Sequence, residues 1–223
     1  MELLTVNNAK TLKSQAFGYE TFIMHLSPAA RSGYNVCPSA SVGCMASCLN
    51  TAGRGCYGRV QSARRRRTKM FFENRAEFFA LLIADIYTGI RRAKAHGLIP
   101  CFRLNGTSDI AWENQIVPHT SGNIFAMFPD TQFYDYSKIP GRITPANYHL
   151  TFSRSESNDT QVNREIAAGQ NVAVVFHKVP EVWNGIPVYV GDDSDLRFLD
   201  PSGVIVGLTT KGKARKDTSG FVI

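Results

Sequence analysis

No apolar run in this chain approaches the roughly 20 residues that cross a bilayer, which excludes a helical membrane anchor and leads us to expect no membrane partner. The segment opening at Met1 has neither a basic start nor an apolar stretch behind it, so no export signal is read there and a cytoplasmic location is expected. Internal repeats and low-complexity tracts are also missing, which sets aside solenoids, propellers and disordered linkers. Negative charge is in deficit: 18 Asp and Glu face 25 Lys and Arg, a net charge of +7. What is present is 223 residues, 43% hydrophobic, enough for a single domain over residues 1–223 that buries its core without covalent staples.

The positive excess is concentrated in two places. One is Arg64, Arg65, Arg66 and Arg67 with Lys69; the other is Lys211, Lys213, Arg215 and Lys216. Such runs attract polyanions, so a nucleic acid or a nucleotide phosphate is the expected partner. Short basic runs also serve as solvated faces, and no known nucleic-acid recognition module is present to decide between the two.

Cysteine is scarce, yet four of the five fall within twenty residues, at Cys37, Cys44, Cys48 and Cys56. Pro38, Gly43, Gly53 and Gly55 argue against a packed helix or strand there, so residues 27–58 read as a cysteine-rich loop. Loop thiols at short spacing usually hold a metal, and a chain of this length has no need of disulfides. No Cys-x-x-Cys knuckle occurs; six, three and seven residues separate the four thiols. Structural zinc usually draws on such knuckles and here would need Cys56 or His25 as its fourth ligand. An iron–sulfur cluster tolerates wider and more varied separations. With Cys37, Cys44 and Cys48 alone as ligands, one iron keeps an open position, as catalytic metal sites do. Both metals stay open at this point. Cys101, inside an apolar run, reads as a core thiol.

Residues 19–26 are β-branched and aromatic and read as a strand leading into the cysteine loop. Residues 59–97 read as one long helix, with Phe71, Phe72, Phe78, Phe79, Leu82, Ile83, Ile86 and Ile90 at three- and four-residue intervals and Gly97 as its stop. Short apolar runs then follow at 99–104, 132–136, 149–152, 171–176 and 203–208, each closing on a polar cluster. Helix-capable stretches lie between them at 110–115, 123–128 and 160–168, and 188–190 reads as a further short strand. Strand, polar end, helix, strand is the βα repeat, which predicts an α/β protein with strands buried on both faces. A partial (βα) TIM-type barrel of about six parallel strands is the expected fold, with an open doubly wound sheet as the alternative.

In either architecture ligands bind at the carboxyl ends of the strands. That rim gathers Asn105, Thr107, Asp109, Asp135, Lys138, Ser153, Ser155, Glu156, His177 and Lys178 towards whatever the cysteines hold. Each alone reads as an ordinary hydrogen-bonded loop residue; their shared placement is the argument. Lys138, His177 and Lys178 are the types that bind phosphate or transfer a proton near neutral pH. The acidic turn 191–195 looks like an oxygen-rich cation loop but lacks a closing bidentate glutamate, so it reads as a solvated turn or a substrate contact.

Strand, three-cysteine loop, helix and partial barrel together resemble the radical S-adenosylmethionine enzymes. The resemblance implies a [4Fe-4S] cluster on Cys37, Cys44 and Cys48, with Cys56 a possible fourth ligand, and S-adenosylmethionine on the open iron. It implies cofactor contacts from Asn105, Gly106, Thr107, Ser153 and Ser155, catalytic carboxylates among Asp109, Asp135 and Glu156, and an external electron donor. The cysteine spacing is wider than is usual in that superfamily. Over nearly its whole length the chain also resembles a bacteriophage family known as gene-product-88-like. The matching stretches include Asn35-Val36-Cys37-Pro38, Arg103-Leu104-Asn105-Gly106-Thr107-Ser108-Asp109-Ile110, Phe133-Tyr134-Asp135-Tyr136, Tyr148-His149-Leu150-Thr151 and Asn171-Val172-Ala173-Val174-Val175-Phe176. That likeness implies a phage protein in the cytoplasm of the infected host but no activity.

The expected function is an iron–sulfur enzyme acting on a nucleotide or nucleic acid, with Arg64 to Arg67 as phosphate contacts. The alternative is a zinc- or cluster-stabilised protein that binds nucleic acid or a host protein without catalysis. A third reading is polar catalysis on phage DNA bases at Asp109 or Asp135.

Overall fold

The computed structural model describes residues 1–6 and 9–223. In chain order the elements are β1 (Leu4–Thr5), α1 (Ala9–Gln15), β2 (Tyr19–Met24), α2 (Val42–Ala46), α3 (Gly58–Glu73), α4 (Arg75–Ala95), β3 (Ile99–Arg103), α5 (Ile124–Met127), β4 (Gln132–Ser137), β5 (Tyr148–Ser153), α6 (Asp159–Ala167), β6 (Val172–Phe176), β7 (Val182–Trp183), β8 (Ile186–Val190) and β9 (Ile205–Thr209). Short 3-10 turns cover Leu49–Thr51, Gly53–Cys56, Trp112–Asn114, Arg197–Leu199 and Gly212–Lys216.

Among the described residues nine strands form one sheet in the order β1-β2-β3-β4-β5-β6-β9-β8-β7. From β2 to β6, and on through β9 to β8, every pairing is parallel; only β1 and β7 run antiparallel to their neighbours. The protein is therefore α/β with a mostly parallel sheet. The order follows the chain from β1 to β6; after β7 it reverses, stepping back through β8 to β9, which inserts beside β6. Right-handed crossovers in one direction place successive helices on one face.

The long helix expected over 59–97 is two helices. Asn74 leaves helical geometry at φ −142° and ψ 68°, ends α3, and accepts the Phe78 N–H through its carbonyl at 3.0 Å to start α4. Its side chain donates to Glu77 at 2.6 Å, the local competition that makes asparagine a poor helix-interior residue. The break lets Phe71, Phe78 and Phe79 close around Trp112, with centroids 5.3–6.3 Å from the indole. This aromatic knot joins Leu82 and Ile86 of α4 against Phe22, Phe102 and Phe133 of the sheet. Each such buried side chain contributes about 1.5–3 kcal/mol.

A second apolar cluster packs Val162 of α6 on Val172, Val174, Phe176 and Ile205. The opposite face of the sheet carries alternate residues of the same strands, Cys101 and Tyr134 among them, and is plugged by Leu196 with Phe198 beside it. Asn184 and Gly185, both at positive φ, make the two-residue hairpin between β7 and β8, an Asn-Gly signal that points to a turn of this kind.

Candidate metal centre and strand-end cavity

On the plugged face the last side chains of five parallel strands are Arg103 of β3, Tyr136 of β4, Ser153 of β5, Val175 of β6 and Leu208 of β9. All five line one cavity of about 210 Å³. Its walls are the cysteine loop, the turn 105–109, Ser137 with Lys138, and the C-terminal residues Thr209, Lys211, Ala214 and Phe221. Cys37, Cys44 and Cys48 all face it. The ligand position at the carboxyl ends of the strands, expected from the βα reading, is therefore where the thiols lie.

The cysteine segment is more ordered than a plain loop. Ser41 caps α2 by accepting the Cys44 N–H at 3.1 Å, which seats Cys44 on a short helix. Backbone N–H groups point at two of the sulfurs: Ala29 donates to Cys37 Sγ at 3.3 Å and Asn50 to Cys48 Sγ at 3.5 Å. Burial pushes the Cys37 thiol up to about 12 and also raises Cys48. Negative charge on Cys48 or Cys44 raises Cys37 further, so the three sulfurs lie within electrostatic reach of one another. Only a bound cation or cluster makes such thiols thiolates near neutral pH.

All five cysteines are free. Cys56 is exposed, donates to the Gly53 carbonyl at 2.9 Å and does not line the cavity. Cys101 is fully buried against Thr21, 3.2 Å away, as expected of a core thiol. His25, weighed as a zinc ligand, is driven down to about 3 by burial and by Arg64, Arg103 and Arg67. Among the described residues no three His, Cys, Asp or Glu side chains converge to hold one metal ion. The cysteines are instead set around a shared wall.

Behind that wall stands Arg64. It is 6% exposed, donates to Asn50 Oδ1, and leaves its Nε without a hydrogen-bond partner. Among the described residues no carboxylate pairs with it, and a thiolate at Cys48 would stabilise its charge. A buried guanidinium without an anion is costly, so the chemistry of this donor set suits an anionic group held by the thiols. Three thiols around one cavity, N–H donors on two sulfurs and a buried counter-charge fit an iron–sulfur cluster.

The other expected site residues separate into three groups. Asn105, Gly106, Thr107, Asp109, Lys138 and Ser153 line the cavity with the cysteines. Asn105 spends its side chain on the turn itself: Oδ1 accepts from Ser108, Ile110 and Trp112 at 2.8–3.1 Å. Thr107 donates to the Leu26 carbonyl at 2.6 Å, and Gly106 N–H to Met24 at 2.9 Å, which staples the turn to the end of β2. A Cβ at Gly106 would lie 2.6 Å from the Met24 carbonyl oxygen. We therefore expect Gly106→Ala to cost about 1–3 kcal/mol in chemical denaturation, because backbone must move to admit it. Asp109 accepts from Ser137 Oγ and Lys138 N–H, each at 2.8 Å; burial nevertheless raises its carboxyl above the ordinary range.

A second group braces the walls from outside. Asp135 is fully buried and accepts from the N–H groups of Leu104 and Asn105 and from Tyr148. Glu156 accepts from Ser41 Oγ and Gly43 N–H, both at 2.7 Å, clamping the loop after β5 to the cysteine helix. Burial acts to raise Glu156, but these hydrogen bonds outweigh it and hold the carboxyl below its usual 4.5. The clamp is complete above pH 4.5 and is lost as pH falls through that lowered value. Glu156→Ala should cut the hydrogen-exchange protection of the Gly43 amide by about tenfold at neutral pH. Wild type should lose the same protection in acid. Ser155 is buried beside this clamp, its N–H on Asn158.

The third group lies away from the cavity. His177 and Lys178 are exposed and do not line it. Arg64 to Arg67 do not form one patch, since successive helical residues turn by about 100°. Arg64 is buried, Arg67 donates to the Glu2 carbonyl, and only Arg65 and Arg66 are exposed. The acidic turn is likewise committed. Asp192 takes Thr209 and Lys211 and Asp195 pairs with Arg103 at 2.8 Å, so two of the three carboxylates are already bound within the chain and Asp193 stays in solvent.

Sequence reading missed Arg103, Tyr136 and Phe221. A lone arginine and a tyrosine just before the polar ends of apolar strands were a usable signal. Nothing local marks Phe221, which reaches the wall because the C-terminus returns beside β6 through Val222 and Ile223. No helix among the described residues is long and apolar enough to cross a membrane. No curated protein and no solved structure matches the chain. A family match does cover it from end to end, so by residues 1–223 this chain belongs to the Gene product 88 family.

Proposed function

We propose that Cys37, Cys44 and Cys48 hold a [4Fe-4S] cluster in the strand-end cavity of a partial (βα) barrel, in an enzyme of radical S-adenosylmethionine-like type. The carrying observation is that one loop's three thiols and the ends of five parallel strands line the same cavity. Parallel strands β2 to β6 taken in chain order, with the right-handed crossovers usual for such pairs, support curling into a partial barrel. Bound together, the cluster and S-adenosylmethionine supply one-electron cleavage of a carbon–sulfur bond and, through it, hydrogen abstraction from a substrate.

The chain's own residues then bind, orient and shield. Arg64 provides the buried counter-charge behind Cys48. Ala40, Leu49, Val175, Leu208 and Phe221 are the apolar lining that keeps water from the reacting groups. The backbone at Gly106 and Thr107 faces the cavity, with Asn105 shaping it rather than reaching into it. Lys138 places its ammonium 5.5 Å from the Phe221 ring centroid, a cation and an aromatic face side by side. That pair suits a nucleotide, the ring for the base and the ammonium for phosphate. Asp109 is the one expected catalytic carboxylate on the cavity wall; Asp135 and Glu156 act as braces.

Anaerobic purification tests the reading. Absorption near 400 nm with about four irons per chain, and 5′-deoxyadenosine on adding S-adenosylmethionine and a strong reductant, is the expected result. A colourless protein with stoichiometric zinc and no iron after reconstitution overturns it.

A further inference from the structure

Between Glu20 and Glu73 the chain contains no acidic residue, while it carries eight Lys and Arg. This is the stretch that holds the cysteines. Its outer surface is also unusually apolar: Val42 is 76% exposed, Met45 41% and Leu49 43%. Leu49 both reaches solvent and lines the cavity, so this surface lies directly outside the thiols. Exposed arginines flank it: Arg31, whose charge is felt at Cys48, Arg54 on the adjoining 3-10 turn, and Arg59 in the first turn of α3. The second basic run joins them from the far end of the chain. The turn Gly212–Lys216 packs on Leu49–Thr51, with Gly212 against Ala52, and leaves Lys213, Arg215 and Lys216 exposed.

We infer that this face docks a small acidic one-electron carrier protein, with Val42, Met45 and Leu49 as the dry centre and the cations as the rim. The inference rests on the proposed cluster, which requires electrons from outside the chain. An apolar centre inside a charged rim is the anatomy of a protein interface. A single-stranded nucleic acid would call for a series of stacking rings, and the exposed side chains here are aliphatic apart from Tyr57. The segment itself has no carboxylate, and the two that reach it, Glu156 on Ser41 and Gly43 and Asp217 on Ser47, are outnumbered by Arg31, Arg54, Arg59, Lys213, Arg215 and Lys216, which gives charge complementarity to an acidic partner and steers its approach.

The probe is an oxidised, acidic plant-type ferredoxin, titrated into the full-length protein and followed by calorimetry at several salt concentrations. A single-stranded DNA oligonucleotide is titrated in parallel. Salt-sensitive binding of the ferredoxin is expected. It should weaken about tenfold in the neutral double variant Val42→Ser/Met45→Ser and by more in Arg54→Glu/Arg59→Glu. DNA binding, where it occurs, should be indifferent to the serine changes. Ferredoxin that fails to bind, or that binds the serine variant as it binds wild type, overturns the docking face. DNA that binds tightly and tracks the arginines while ferredoxin does not makes the face a nucleic-acid surface and overturns it equally. Iron and sulfide content of the same preparations separates the two levels. Lost docking with iron present refutes the docking face alone; absent iron after reconstitution refutes the cluster on which it rests.

Discussion

Replacing Cys37, Cys44 or Cys48 singly by serine is expected to drop reconstituted iron from about four atoms per chain to below about one and to remove the absorption near 400 nm. Cys56→Ser should keep both. The contrast follows from placement. The three proposed ligands share a cavity wall, whereas the Cys56 thiol is exposed and turned back onto the Gly53 carbonyl. A serine hydroxyl at neutral pH is a far poorer iron ligand than a thiolate, and three ligands leave no reserve. Arg64 extends the same experiment. Its Nε is buried without a partner beside Cys48, so Arg64→Met removes a counter-charge while Arg64→Lys retains it. The reduction potential of the proposed cluster should fall in the first variant and recover in the second, as measured by spectroscopic titration. Equal iron in wild type and in all three cysteine variants would refute the ligand assignment.

Asp135→Asn should lower stability by about 3 kcal/mol, a fall in Tm of about 6–12 °C for a chain of this size. The carboxyl is sealed from solvent and takes four groups at once: N–H of Leu104 at 3.2 Å, N–H of Asn105 at 2.8 Å, Tyr148 Oη at 3.1 Å, and Arg103 Nε at 3.6 Å. An asparagine keeps one acceptor and aims an amide donor at groups that also donate. The pH dependence carries its own sign. Burial pushes the Asp135 carboxyl up to about 7, against the pull of Arg103 and its hydrogen bonds. A carboxyl raised on folding favours the folded state fully below 3.8, and that advantage is lost as pH rises through about 7. Asparagine has no such dependence, so the gap between wild type and variant should narrow from pH 4 to pH 8. Calorimetric melts across that range check both the size and the trend; a gap that widens with pH would refute the assignment.

The strands were legible because each is a short apolar run stopped by a polar cluster, and burial on both faces demands that composition. The run 132–136 became β4 and 171–176 became β6 with shifts of a residue or two. The helix break at Asn74 was hidden by the aromatic spacing, which continues in phase across it. Asn74 instead wins by local hydrogen bonding that periodicity does not register. The turn 191–195, read as a solvated turn or a substrate contact, instead spends Asp192 and Asp195 on Thr209, Lys211 and Arg103, partners distant in the chain, and leaves Asp193 exposed.

By itself the sequence determined the α/β class, the cysteine cluster and the edge of the sheet on which it would lie. Those depend on composition and spacing, which are local. Only the tertiary structure decided which polar residues reach the cavity and which brace it, because a side chain's reach depends on the direction it leaves its strand and on what packs behind it. Asp109 and Asp135 look alike in sequence, yet one lines the cavity and the other is sealed beneath a turn. The four consecutive arginines divide for the same reason. The helical turn carries Arg64 inward to Cys48 and leaves its neighbours Arg65 and Arg66 in water.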